Sequence, residues 1–305
     1  MNPDRVLVTG ASGLIGRGIF GHLRELQVDV YGVSRRAGES ARFNAVDLSD
    51  PEAAATLVSR IAPNAIVHVA GGHVAGWEGL RAANVQTAVN VMNAAARLAV
   101  PPRVVLAGSS AEYGQPVSGL ISESSPTEPV TDYGRVKLEA TEQARTIAAA
   151  SGIPLCVVRP FNIVSPDLPA ASALGNMRRQ LVDGKGGRRV VRCGRLDVVR
   201  DFVPLNVVLM TLSRLLEVDR WPTALNVCSG RAVILGDLLT SMAHAIDVEV
   251  QVEVEPELAA MAAADRIVGD PTRLHEMGVV CAPTLEFLAE LMMHSRHAQV
   301  RRCGL

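Results

Sequence analysis

The chain carries few aromatic residues, five Phe, three Tyr and two Trp among 305 positions, so its core must come from aliphatic side chains. It has almost no net charge, with 30 Lys and Arg against 31 Asp and Glu, which speaks against nucleic acid as a partner. No apolar run approaches the ~20 residues of a membrane-spanning helix. The N terminus enters a β-rich run almost at once, so neither a membrane partner nor a signal peptide is expected. The five cysteines, Cys156, Cys193, Cys228, Cys281 and Cys303, are odd in number and widely spaced. Without a Cys-x-x-Cys pair or a Cys/His cluster they suggest no metal site. Reduced, mostly buried thiols in a cytoplasmic protein are the expectation.

What the chain does have is length and alternation. Short β-rich runs at 5–9, 28–33, 43–46, 65–69, 102–107 and 154–158 are separated by helical patterns at 13–26, 51–61, 78–98 and 132–150. Such alternation implies α/β architecture: a doubly wound parallel sheet with helices on both faces. The pattern loosens after Pro160, where prolines and glycines accumulate and one helix, near 171–183, is evident. A strand at 224–228 and a helix at 235–246 are expected to return to the main sheet. A β-rich run at 248–254 and helices near 271–277 and 284–294 then build a small C-terminal α/β lobe. The expected division is 1–160, with contributions from about 200–235, for a dinucleotide, and 161–305 mainly for substrate. The tail Arg301-Arg302-Cys303-Gly304-Leu305 is expected to fray.

The first strand runs into Thr9-Gly10-Ala11-Ser12-Gly13-Leu14-Ile15-Gly16. A three-glycine turn between a strand and a helix is the Rossmann-type signature for a dinucleotide diphosphate. Gly10 makes the tight turn, Gly13 lets the diphosphate approach, and Gly16 permits close helix–strand packing. The second strand ends in Ser34-Arg35-Arg36, where an acidic residue would favour NAD. A hydroxyl and two guanidinium groups suit a 2′-phosphate and therefore NADP, with NAD the alternative cofactor; a solvated basic turn is the plainer reading. Asp47-Leu48 would either meet the adenine or, through Asp47, cap the helix that starts near Pro51.

Tyr133 and Lys137 stand four apart on one helical face, and Ser109 and Ser110 precede them by one strand and loop. A phenol with a normal pKa of about 10 becomes useful near neutrality when a fixed cation lowers it. Tyr133 would then exchange a proton with a substrate carbonyl or hydroxyl, a serine would hydrogen-bond the same oxygen, and Lys137 would also hold the nicotinamide ribose.

Several further stretches carry a resemblance. They are Val67-His68-Val69-Ala70-Gly71, Asn84, Gly108-Ser109-Ser110-Ala111-Glu112-Tyr113-Gly114, Tyr133/Lys137, Arg159-Pro160-Phe161-Asn162, Arg200-Asp201-Phe202-Val203 and Asn226-Val227-Cys228-Ser229-Gly230. With the glycine turn, the chain resembles an extended short-chain dehydrogenase/reductase of the NAD-dependent epimerase/dehydratase family over nearly its whole length. Among the branches it is most similar to the GDP-4-dehydro-6-deoxy-mannose reductases. The resemblance selects Ser109 as the catalytic hydroxyl, with Ser110 behind it. It implies cofactor contacts from Ser12, Leu14, Ile15, Val69, Ala70, Gly71 and Pro160, and substrate contacts from Ser110, Tyr113, Asn162 and Arg200. It also implies a nucleotide-diphosphate sugar as substrate and a homodimer through two helices, which the helix from Tyr133 onward could serve.

Relatives that dehydrate or decarboxylate carry Glu two residues after the catalytic hydroxyl, and the 3,5-epimerase/reductases carry Cys there. This chain has Ala111, which can neither donate nor accept a proton. Glu112 is one position along and, in an extended backbone, would point the other way. The resemblance therefore implies reduction of a 4-keto-6-deoxy sugar. A 4-epimerase with tightly held NAD is the alternative, and a non-catalytic nucleotide sensor would have no need of Ser109, Tyr133 and Lys137 together.

On the substrate side, residues 178–200 hold eight basic side chains against Asp183 and Asp197. That excess suits a diphosphate, or simply an exposed glycine-rich loop. His73 and Trp77 follow the fourth strand, at the edge where such sheets bind ligands, and either could face a sugar or merely pack. His68 reads as a hydrogen-bonded core histidine.

Overall fold

A computed structural model of the chain describes residues 5–36, 40–115, 119–260 and 264–294. The tail at 301–305, Cys303 included, lies outside the described residues. The first half supplies β1 (Arg5–Thr9), α1 (Leu14–Glu25), β2 (Asp29–Ser34), β3 (Phe43–Ala45), α2 (Pro51–Ile61) and β4 (Ala65–His68). It continues through α3 (Trp77–Arg81), α4 (Thr87–Ala96), β5 (Arg103–Ala107), α5 (Asp132–Ser151) and β6 (Leu155–Pro160). Next come β7 (Asn162–Val164), α6 (Ala173–Asp183), β8 (Arg188–Cys193), β9 (Val199–Arg200), β10 (Phe202–Pro204), α7 (Leu205–Glu217) and β11 (Ala224–Val227). The remainder is β12 (Val233–Ile234), α8 (Leu235–His244), β13 (Glu249–Val254), α9 (Pro256–Ala260), β14 (Arg266–Ile267), α10 (Thr272–Glu276) and α11 (Leu285–Met293).

Seven strands form one parallel sheet in the order β11-β6-β5-β4-β1-β2-β3. The strands are apolar on both faces because both are covered. Val6 and Val8 enter one layer with Val67, Val105 and Leu225, beneath Ile19 and Leu23 of α1 and Leu212 and Leu215 of α7. Leu7 enters the other with Ile66, Val104 and Val157, beneath Leu57 of α2, Val91 of α4 and Ala140 and Ala144 of α5. Each such Val, Leu or Ile side chain, once buried, contributes about 1.5–3 kcal/mol. The strand order reverses between β1 and β4, which opens a crevice at the carboxyl ends of the sheet.

The C-terminal lobe has its own core, built by Leu181 of α6, Val191 of β8, Leu238 and Met242 of α8, and Leu288 and Met292 of α11. Here the chain departs from its sequence pattern. β11 joins the edge of the main sheet as expected, but α8 packs into the lobe rather than against that sheet. The arginine-rich 188–193 stretch is strand β8, paired in parallel with β13, and α7 was not foreseen. The helix expected at 78–98 is interrupted by a π turn at Ala82–Gln86. Asn84, within that turn, reaches the Gly72 N–H and carbonyl of the β4 loop. Among the described residues no helix is long and apolar enough to cross a membrane. Cys156, Cys193, Cys228 and Cys281 are free and buried.

Candidate active site

The crevice between β1 and β4 is shaped by backbone. Gly10 turns with φ 63°, and a Cβ on it would come within 2.7 Å of Ala70 Cα. A Cβ on Gly16 would overlap the Gly10 carbonyl oxygen. Thr9 Oγ1 accepts from the Ala70 N–H at 3.2 Å, clasping the two strand ends together. α1 begins at Gly13 with no side-chain cap, so its first turn, Leu14 to Gly16, offers N–H donors and the positive end of the helix dipole to an anion. A bare cradle beside an uncapped helix N terminus fits a dinucleotide diphosphate.

At the end of β2 the Ser34 hydroxyl donates to the Arg36 carbonyl at 2.7 Å and turns the chain. Arg35 and Arg36 are exposed beyond that turn. Asp47 lies close enough to feel the Arg35 charge. Two hydrogen bonds from Ser49 and then that charge hold its carboxylate below the usual range. Asp47 does not cap α2: Asp50 does, accepting from the Glu52 and Ala53 N–H groups. Leu48 is buried beside it.

After β4, Gly71 and Gly72 turn with φ of 133° and 131°. Asn84 accepts from the Gly72 N–H at 3.0 Å and donates to its carbonyl at 2.9 Å, which fixes the loop that carries His73. Trp77 is exposed at the start of α3. His68 is buried, its Nδ1 3.0 Å from Thr9 Oγ1, but Nε2 has no partner among the described residues. The core histidine is therefore only half satisfied. Burial, then the nearby Lys137 charge, pushes its pKa down to about 3.

Across the crevice, residues 110–113 form a short 3-10 turn after β5, and Gly134 near the start of α5 packs on it. A Cβ on Gly134 would overlap the Ala111 carbonyl oxygen, so the glycine after Tyr133 is what lets α5 approach. That approach brings the Ser109 hydroxyl, which accepts from the Ala111 N–H at 3.2 Å, near enough to the Tyr133 phenol to influence its ionisation. The His73 ring stacks on Tyr133, centroids 4.0 Å apart and planes 24° from parallel. No sequence signal beyond its place in the β4 loop foretold that stack.

Lys137 is buried and donates to the Ala107 carbonyl. Burial holds its pKa down at about 8, against an opposing pull from the Glu112 charge. The phenol moves the other way from expectation. Burial raises Tyr133 to about 12, the nearby Ser109 hydroxyl opposes this, and the Glu112 charge adds to it. The ammonium serves the Ala107 carbonyl and does not offset the desolvation of the phenol.

Tyr113 corrects a second expectation. It is buried, donates to Asn226 Oδ1 at 2.7 Å and accepts from Arg159 Nη1 at 2.9 Å, so it is a core residue rather than a substrate contact. Ser110 lies half-buried at the start of the 3-10 turn, and Pro160 closes β6 in the core. Asn162 donates to the Asp201 carbonyl at 2.9 Å. Arg200 donates to the Val199 and Ala264 carbonyls at 2.9 and 2.8 Å. The basic stretch is largely partnered from within: Arg178 and Arg189 reach the Met292 and Leu181 carbonyls, Arg192 pairs with Glu253, and Arg195 with Asp197 and Asp265.

A hydroxyl, a phenol and a buried ammonium beside a dinucleotide cradle can move a proton next to a hydride transfer. Comparison with known proteins agrees. A family model described as the NAD dependent epimerase/dehydratase family matches residues 6–227. The dTDP-6-deoxy-L-talose 4-dehydrogenase (NAD(P)(+)) of Kitasatospora kifunensis is 35% identical over 243 residues, 75% of each chain. The GDP-6-deoxy-D-mannose reductase of Pseudomonas aeruginosa is 26% identical over 283 residues, 90% of each chain. The solved structure of MoeE5 with UDP-glucose and NAD superposes with a TM-score of 0.83 at 25% identity, covering 96% of this chain and 99% of the other.

Proposed function

This chain belongs to the NAD dependent epimerase/dehydratase family, as an enzyme of the extended short-chain dehydrogenase/reductase type with a nicotinamide cofactor, and we propose that it is a nucleotide-sugar 4-ketoreductase. Its substrate would be a nucleotide-diphosphate 4-keto-6-deoxy sugar, its preferred cofactor NADPH, and the reverse oxidation of the 4-hydroxyl the same chemistry run backward. The observation that carries this reading is the meeting of Ser109, Tyr133 and buried Lys137 beside the glycine cradle, with the inert Ala111 at the position where dehydrating relatives carry an acid.

A nicotinamide bound in the crevice supplies the hydride. Tyr133 gives its proton to the ketone oxygen as the carbon is reduced, and a phenol held near 12 stays protonated for that task at any working pH. The Ser109 hydroxyl, close to Tyr133, would steady the same oxygen. Lys137, an ammonium below about pH 8, would favour the phenolate that forms only by turning toward it from the Ala107 carbonyl. Gly10, Ser12, Gly13, Leu14, Ile15 and Gly16 would cradle the diphosphate; Val69, Ala70, Gly71 and Pro160 would line the nicotinamide side. Ser34, Arg35 and Arg36 would take the 2′-phosphate, with Asp47 and Leu48 at the adenine. Ser110 would meet the sugar nucleotide from the sheet side, and Asn162 and Arg200 from the lobe side.

The test is the cofactor carried by the purified protein, followed by titration of NADPH against NADH. Exchangeable cofactor with preference for NADPH, lost in Arg35→Ala/Arg36→Ala, supports the reductase. Stoichiometric, tightly held NAD would overturn it in favour of the 4-epimerase.

A further inference from the structure

Glu112 has no exposed surface at all, yet it carries a carboxylate into the space between three elements. Its Oε1 accepts from the Ser109 N–H at 2.8 Å. Its Oε2 accepts from Thr141 Oγ1 of α5 at 3.2 Å and from Arg159 Nε of β6 at 2.9 Å. Thr141 stands two turns beyond Tyr133 on the same helix, so one side chain ties the serine turn to the helix of the tyrosine and lysine. The backbone makes room for it, since a Cβ on Gly108 would overlap Glu112 Oε1. The 3-10 turn, rather than an extended strand, is what swings Glu112 inward while Ala111 remains beside the site.

The charges around Lys137 are unequal. Tyr133 lies one turn before it on α5, His68 of β4 and His73 of the β4 loop feel its charge, and Arg159 of β6 lies behind Glu112. Burial and the lysine charge keep both histidines on the neutral side. Glu112 is the anion among these groups, and it opposes the loss of the Lys137 proton. A buried carboxylate with a guanidinium on one side and an ammonium nearby is costly to strand and well suited to fix geometry.

We propose that Glu112 is a positioning residue of the proton-transfer centre, its buried carboxylate locking the Ser109 turn to α5 and supplying the counter-charge to the Lys137 ammonium. This rests on the reading that Tyr133 and Lys137 manage the proton of a keto-sugar reduction. Glu112→Gln separates the two tasks, because the amide oxygen can still accept from Ser109 N–H while the charge is gone. Arg159 is then left without its carboxylate, so the double variant Glu112→Gln/Arg159→Met, which removes both charges, accompanies it.

The chain contains two lysines, Lys137 and Lys185, so lysine labelled with ¹³C at Cε gives two titratable side-chain signals that Lys185→Arg assigns. In the native protein Lys137 should titrate near pH 8. In Glu112→Gln the midpoint should fall, because the charge that opposes loss of the proton is gone. The basic limb of kcat/KM for NAD(P)H-dependent keto reduction should move down the pH scale with it. In the double variant the fold should recover while the limb stays displaced. A merely structural Glu112 would give recovery of both. Unchanged Lys137 titration in folded variants would overturn the proposal, whatever the activity. Retained turnover in Tyr133→Phe would instead overturn the reading beneath it.

Discussion

The parallel-sheet half and the C-terminal lobe are held together in different ways. In the sheet half, the site is set by contacts between backbones: Gly10 against Ala70, Gly16 against Gly10, Gly134 against Ala111. In the lobe, long side chains reach for carbonyls: Arg178 for Met292, Arg189 for Leu181, Arg200 for Val199 and Ala264, Arg231 for Pro283. A backbone contact admits no added atom, whereas a guanidinium contact can be remade from a neighbouring position. The difference assigns the fixed chemistry to the sheet half and leaves the lobe as the adjustable side.

The largest effect should come from the reacting group itself. Tyr133→Phe should lower kcat by about 10²–10⁴-fold while leaving NAD(P)H affinity near native, read by steady-state kinetics and fluorescence titration. Gly16→Ala should follow, because its Cβ would strike the Gly10 carbonyl. Overpacking of this kind costs about 1–3 kcal/mol of stability, and cofactor affinity should drop with it. Arg200→Ala is the matching change in the lobe. It leaves the Ala264 carbonyl without its donor, for about 1–3 kcal/mol, and should raise the KM of the sugar nucleotide more than that of the cofactor. Equal loss of cofactor affinity in the glycine and arginine variants would erase the contrast between the halves.

The two halves also differed in how far the sequence revealed them. β1 to β6 and the glycine turn are local patterns, apolar runs closed by residues with one conformational role, and they could be read directly. The lobe strands β7, β9, β10, β12 and β14 are two or three residues long and pair only across distant segments. α7 did leave a signal, Val208, Leu212, Leu215 and Leu216 on one face after Pro204, which the surrounding glycines and prolines obscured. In the site, the spacing of Tyr133 and Lys137 and the place of Ser109 were legible. Which partners Glu112 and Tyr113 would meet was not, because a one-turn 3-10 segment does not follow the alternation that an extended reading uses. The upward shift of the Tyr133 phenol was hidden too, since it arises from burial, which spacing does not report.

A last effect concerns stability against acid. Unfolded His68 takes up a proton near pH 6.5, and the folded chain refuses it until about 3. The fold therefore keeps this part of its stability above pH 6.5 and loses it as pH falls from there toward 3. His68→Asn should flatten that acid limb in denaturant titrations, and an unaltered limb would mean that another group carries it.

The central claim is hydride transfer to a 4-keto sugar nucleotide with Tyr133 as the proton donor. Its most direct test is incubation of the protein with 4-deuterated NADPH and a nucleotide-diphosphate 4-keto-6-deoxy sugar, followed by mass and NMR analysis of the product. One deuterium at C4, matched mole for mole by oxidised cofactor and absent with Tyr133→Phe, is the result expected. A sugar altered at C4 with no label and no net cofactor oxidation would contradict the account.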